Sequence, residues 1–207
     1  MFDRIALPVM LSALAGYVDA IGFLRLGGLF VSFMSGNSTQ LGVGLAGGGH
    51  HDWPLAAGLI LGFVLGVILG AVVATRTGRW SQAAVLALES ALLLSAAALA
   101  MQGHTTASLV AIVLAMGVEN NVFKLGVTYM TGTLVRVGQA IAAALGGGRR
   151  FAWVADLCLW AGLVVGAIGG AAAYGRLGLL ALWLAAGFAA FLTLAVGLRA
   201  AIGRVAA

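Results

Sequence analysis

Cysteine is all but missing from this chain. Cys158 alone, inside an apolar run, can form no internal disulfide and supports no cysteine-based metal framework, so it reads as a small buried hydrophobe. Charge is almost as scarce: 8% of the 207 residues are Asp, Glu, Lys or Arg, against roughly 25% in soluble domains. That scarcity excludes an ordinary soluble fold. The eleven Lys and Arg outnumber six Asp and Glu, yet most sit in short connections between apolar stretches, where they orient membrane spans rather than bind nucleic acid. His50, His51, Asp52 and His104 lack a third ligand at plausible spacing, so no metal site is expected. No nucleophile elbow, phosphate loop or paired catalytic acid motif is present, so neither an enzyme nor a cofactor is expected.

What the chain has instead is apolar length: 62% of its residues are hydrophobic and the mean hydropathy is +1.11. Six stretches, near 5–24, 55–75, 81–101, 107–124, 152–173 and 178–198, reach the 17 to 25 residues or so that a helical crossing needs. The first begins after Arg4 like a secretory signal, but it contains Asp19 and lacks an A-x-A-like cleavage site, so it reads as a retained span. Two further segments, 34–47 and 130–145, have a helical pattern but are too short or too polar for ordinary crossings, holding Asn37, Thr39 and Gln40 in one and Arg136 and Gln139 in the other.

Positive charge decides how those two segments run. If they enter and leave the membrane on one side, Arg4, Arg76, Arg79, Lys124, Arg149, Arg150, Arg199 and Arg204 fall on the cytoplasmic side and only Arg25 and Arg176 remain outside. Eight full crossings would break that rule. Six spans with both termini cytoplasmic divide the chain, as one membrane domain over 1–207, into two units of three crossings, residues 1–101 and 107–199. An odd number of crossings per unit makes the second unit inverted.

Residue correspondences support a repeat. Val31-Ser32-Phe33-Met34-Ser35-Gly36 lies over Val127-Thr128-Tyr129-Met130-Thr131-Gly132, and Gly42 over Gly138. Upstream, Gly16 and Asp19 lie over Gly117 and Asn120; downstream, Gly58, Gly62 and Gly66 lie over Gly162, Gly166 and Gly170. The fold expected is therefore an all-α membrane protein with six transmembrane helices, two re-entrant half-helices each preceded by a short extended segment, and a 3+3 inverted repeat.

Irregular backbone at membrane depth is tolerated only inside protein or beside water. Each Val-Ser/Thr-aromatic-Met run therefore reads as an extended piece buried in the protein, the two pairing near the midplane, with Ser35 or Thr131 capping a half-helix. Two helix N-termini aimed at one place offer amide N–H groups and partial positive charge to a solute, the arrangement recurrent in secondary transporters. The candidate substrate-binding residues are Asp19, Ser35, Gly36, Asn37, Glu119, Asn120, Asn121, Thr131, Gly132 and Thr133. Glu89, Arg136 and Gln139 are candidate coupling or path-lining residues, with Glu89 alternatively bonded to Gln40 or Gln139, Glu119 paired with Lys124, and Arg136 paired with Asp19, Glu89 or Glu119. The glycine stripes read as close-packing faces, each span lying on the half-helix of its own repeat.

The runs LPVMLSALAGYVDAIGFLRLGGLFVSFMSGNSTQLG (7–42) and AMGVENNVFKLGVTYMTGTLVRVG (115–138) resemble the YoaK-type family of bacterial inner-membrane proteins, a domain of unknown function, over essentially the whole chain. The resemblance implies a six-span protein of the bacterial inner membrane. The family tends to carry a neutral amide where this chain has Glu119 and a small residue where it has Asn121, which directs an acid role to Asp19. The function expected is a secondary transporter of a small polar or anionic solute, with proton coupling an open option. A passive channel on the same half-helices, or a non-transporting membrane scaffold, are the alternatives. The partners expected are a small-molecule or ion substrate, the lipid bilayer and, as a further option, a second copy in a homodimer.

Overall fold

A computed structural model describes residues 2–48, 52–123 and 129–202. The described residues are all helical apart from connections and contain no strand. The α-helices are α1 (Phe2–Arg25), α2 (Met34–Leu45), α3 (Trp53–Thr77), α4 (Ser81–Met101), α5 (Thr105–Glu119), α6 (Met130–Leu145), α7 (Val154–Leu177) and α8 (Ala181–Ile202). Lys124, Val127, Thr128, His50, His51 and Arg204, which carry parts of the orientation and repeat readings, lie outside the described residues.

Three helical segments are long and apolar enough to cross a membrane: Ile5–Arg25, Trp53–Met101 and Val154–Ile202. The latter two, 49 residues each, are more than twice the roughly 20 residues of one crossing. Each is bent at a glycine. Gly78 (φ +54°) and Gly178 (φ +57°) open the one-turn 3-10 helices Gly78–Trp80 and Gly178–Leu180, dividing the segments into α3 and α4 and into α7 and α8. Only glycine adopts that left-handed backbone without strain.

The fourth expected span stops early. α5 ends at Glu119, five residues before the expected boundary, because the following amides compete with the helix for backbone partners. Asn120 donates through Nδ2 to Met116 O at 2.9 Å, and Asn121 donates to Val67 O on α3 at 3.1 Å. Cys158 also departs from expectation, being exposed on α7 rather than buried.

The helices pair crosswise. α1 packs mainly on α7 and α5 on both α3 and α4, while α4 packs on α8; α2 rests on α3 and α6 on α7. Ser12 Oγ donates to Leu159 O at 2.8 Å between α1 and α7, and Ser108 Oγ to Ala96 O at 2.9 Å between α5 and α4. The hydroxyls of Ser90 and Thr193 join α4 to α8 at 2.8 Å.

Glycine sets the two closest crossings. A Cβ placed on Gly16, Gly166 or Gly170 would collide with the carbonyl oxygens of Leu163, Ala13 and Tyr17 across the α1–α7 contact. On the other side, a Cβ on Gly66 or Gly117 would collide with the carbonyls of Leu114 and Phe63 across α3–α5. The stripes thus seat each long helix on the first helix of the opposite half, not on its own half-helix as expected. Small residues let two backbones approach where lipid gives no hydrophobic drive between helices.

Gly58 has open space around its Cβ position, which supplies a control. Alanine at Gly66, Gly117, Gly166 or Gly170 is expected to destabilise the detergent-solubilised protein by about 1–3 kcal/mol through overpacking. Alanine at Gly58 should leave thermal stability unchanged or raise it by up to about 1 kcal/mol, since helical glycine is the weaker helix former.

Candidate functional site

The site begins with a chain reversal. After α1, Gly27 (φ +63°) and Gly28 (φ +107°) turn the backbone, and the segment from Leu29 runs back along the helix it has just left. Leu29 and Val31 are buried, and Val31 fits against Gly22, where a Cβ would meet its Cγ1 at 2.7 Å. This segment is not helical, so its amides need partners from elsewhere.

Two polar side chains supply them. Asp19 Oδ1 accepts the N–H groups of Val31 at 2.8 Å and Ser32 at 2.7 Å. Asn37, 0% exposed, bonds both sides of one peptide position, accepting Phe30 N–H at 2.9 Å and donating Nδ2 to Phe30 O at 2.6 Å. Asp19 lies six residues before Arg25, about 9 Å along the helix at 1.5 Å per residue. The start of α2 is thereby held well below the end of α1.

The caps differ from expectation. α2 begins at Met34 with Phe33 as N-cap, and α6 at Met130 with Tyr129 as N-cap; neither cap makes a side-chain bond, so Ser35 and Thr131 lie inside the first turns instead of capping them. The first helical bonds run from Asn37 N to Phe33 O and from Thr133 N to Tyr129 O. Gly36 is required beneath the Phe33 and Phe30 rings, since a Cβ would meet Phe33 Cδ1 at 2.6 Å. Gly132 is open, with only Arg136 Nη1 within 4 Å of its Cβ position, at 3.9 Å.

The first turns of α2 and α6 face a common cavity of about 370 Å³. Ser32, Phe33, Met34 and Ser35 line one side, Tyr129, Met130, Thr131 and Gly132 the other, and Phe63 of α3 also lines it. The walls are mostly apolar with hydroxyls at the helix starts, a form that suits a small solute held by few polar contacts.

The remaining candidates disperse. Thr133 is buried, donates to Tyr129 O at 3.0 Å and accepts Arg136 Nη2 at 2.9 Å. Arg136 pairs with Asp156 of α7 at 2.8 Å, not with Asp19, Glu89 or Glu119, and so ties α6 to α7. Gln139 is exposed on α6. Asn121 faces α3 away from the cavity. Glu89 and Glu119 are fully buried with no hydrogen-bond partner on any carboxylate oxygen, so the bond expected from Gln40 or Gln139 to Glu89 is not made, while the expected pairing of Glu119 with Lys124 falls outside the described residues. The sequence reading missed Ser32, Phe33, Met34, Tyr129 and Met130 as cavity walls although the repeated aromatic-Met pair carried the signal. Phe63, one residue after a stripe glycine, gave none.

Apolar helices of crossing length, with a cavity between two interrupted segments, define an all-helical membrane protein. The chain matches the profile described as Protein of unknown function (DUF1275) over residues 7–195. It is also 36% identical over 197 residues to the UPF0700 transmembrane protein RA0705 of Rhizobium meliloti (strain 1021), covering 92% of this chain and 85% of that protein. The chain therefore belongs to the DUF1275 family. No solved structure matches it.

Removing the anchor should undo the loop. Asp19→Ala leaves two amides without an acceptor and is expected to destabilise the protein by about 2–6 kcal/mol, at 1–3 kcal/mol per unsatisfied buried group. Asp19→Asn, which keeps an acceptor oxygen, should lose less. Thermal unfolding in detergent and hydrogen exchange at Val31 and Ser32 measure both, with exchange accelerating at those amides first.

Proposed function

We propose that this protein is a secondary transporter of a small polar or anionic solute, built from six crossings and two re-entrant half-helices related as a 3+3 inverted repeat. The observation that carries the reading is the cavity shared by the first turns of α2 and α6. Discontinuous helices that point their N-termini at a common cavity are the recurring solute site of inverted-repeat carriers.

Other features agree with this reading. α2 and α6, with 12 and 16 residues, span about 18 and 24 Å, short of the roughly 30 Å hydrocarbon core. Several of the helix pairs are reciprocal: α1 lies on α7 as α5 lies on α3, and α2 lies on α3 as α6 lies on α7, while α4 and α8 meet each other; the close α4–α5 contact has only a slight counterpart between α8 and α1. A two-fold exchange of the halves leaves the reciprocal pairs unchanged. Hydroxyls of Ser32, Ser35 and Thr131 at helix starts favour an electron-rich solute atom. On this reading the protein resides in the bacterial inner membrane with both termini cytoplasmic.

The test is a thermal-shift screen of purified protein against polar and anionic metabolites, followed by counterflow of any hit in proteoliposomes. A solute at one hundred times its Kd should stabilise the protein by roughly 2.7 kcal/mol. Gly132→Phe, which fills the cavity from an open position, should abolish that shift while leaving the solute-free protein folded. Exchange-driven accumulation of labelled solute marks a carrier, and equilibration without it marks a channel. Absence of any shift and any flux across the metabolite classes would refute the proposal.

A further inference from the structure

Away from the cavity, the core contains two acids. Glu89 lies near the middle of α4, and Glu119 is the last residue of α5. Both are 0% exposed. All four carboxylate oxygens lack a hydrogen-bond partner, and the ion pair found among the described residues, Arg136–Asp156, involves neither. Ser108 of α5 is bonded to Ala96 of α4, and counting along the antiparallel pair from that bond puts the two acids within about one helical turn of the same height.

Their surroundings are apolar, and no cation among the described residues pairs with either. Leu14, Leu93, Ile112 and Met116 belong to one buried cluster, Leu11, Leu86, Val118 and Leu192 to a second, and the acids fall along the chain between members of the two. The neighbouring elements carry Tyr17, Asp19 and Arg25 on α1, Arg76 on α3, Arg79 in the turn before α4 and Arg199 on α8. None of these bonds or pairs with either glutamate: the Tyr17 hydroxyl donates to Ala181 O, Asp19 holds the loop, and Arg79 lies over Trp80. No third His, Cys, Asp or Glu joins them among the described residues.

Two ionised carboxylates cannot share such a place. Each unpaired buried charge costs several kcal/mol, like charges add to that, and Glu119 meets the negative end of its own helix as well. The repeat gives no structural reason for them: the positions equivalent to Glu89 and Glu119 in the other half are Ala189 and Val18, both buried hydrophobics. A stable core would be served by the same residues on both sides.

We propose that Glu89 and Glu119 form a proton-binding site, the pair holding one hydrogen ion between two carboxyl groups, and that its loading and release couples solute movement to a proton gradient. The coupling rests on the carrier reading above; the proton site does not. Loading takes one H+ from water and converts a carboxylate to the neutral acid, with no other bond made or broken. A cleft of about 540 Å³, lined among others by Arg79, Gln82 and Asn121, opens beside the residues that follow α5.

Infrared spectroscopy of the purified protein in lipid tests this without any solute. At neutral pH the protonated-carboxyl C=O band should be present in the native protein, altered in Glu89→Gln and in Glu119→Gln, and reduced to background in the double variant. Size-exclusion profiles of the single variants guard against misfolding of the double one. A native protein with no such band, or a band untouched by both single substitutions, overturns the proton site. If the band behaves as stated and a transported solute is found, Glu119→Gln should retain counterflow and lose accumulation driven by a pH gradient; accumulation unchanged overturns the coupling. Silent flux assays beside an intact band overturn the carrier reading alone.

Discussion

A backbone that leaves its helix inside an apolar medium must find partners for every N–H and C=O it exposes, and here Asp19 and Asn37 provide them. In hydrocarbon each unsatisfied group costs several kcal/mol. The carboxylate of Asp19 takes two successive amides, Val31 and Ser32, and the amide of Asn37 takes both faces of Phe30. The rest follows from this clamp. It lets the reversed chain lie against α1, starts α2 below the end of that helix, and leaves Ser32 to Ser35 as one wall of a cavity whose opposite wall is Tyr129 to Gly132.

In the second half the connection between α5 and α6 lies outside the described residues, and the start of α6 is what can be compared. Thr133, which the sequence correspondence sets over Asn37, is likewise buried, and bonds the N-cap carbonyl of its own helix while receiving Arg136. Arg136 in turn ties α6 to Asp156 on α7. α6 is thus tied to its neighbouring helix. The buried Glu89 and Glu119, set against the buried Ala189 and Val18, distinguish the two halves of the chain.

Much of the architecture was legible in the sequence because membrane spans declare themselves by length and apolarity. The predicted boundaries of the interrupted segments, 34–47 and 130–145, compare with Met34–Leu45 and Met130–Leu145. What the sequence hid was pairing. A glycine every fourth residue shows that a helix packs closely but not on which partner, and the stripes of α3 and α7 turned out to serve α5 and α1. Helix ends were obscured where side chains compete with the backbone, as at Asn120 and Asn121. The candidate residues formed one set in the sequence because the repeat aligned them. In three dimensions they fall into a loop clamp, a cavity and a buried acid pair, a division that depends on which face of each helix a residue occupies.

The central claim is that the starts of α2 and α6 meet inside the membrane around one space. Cysteines placed at Ser35 and Thr131, with Cys158 replaced by serine, report on it directly in native membranes. The account predicts that a short bifunctional thiol reagent joins the two positions within one chain and that the join is lost when either cysteine is omitted. Two cysteines that never join, each labelled by a membrane-impermeant reagent from opposite sides of the membrane, would contradict it.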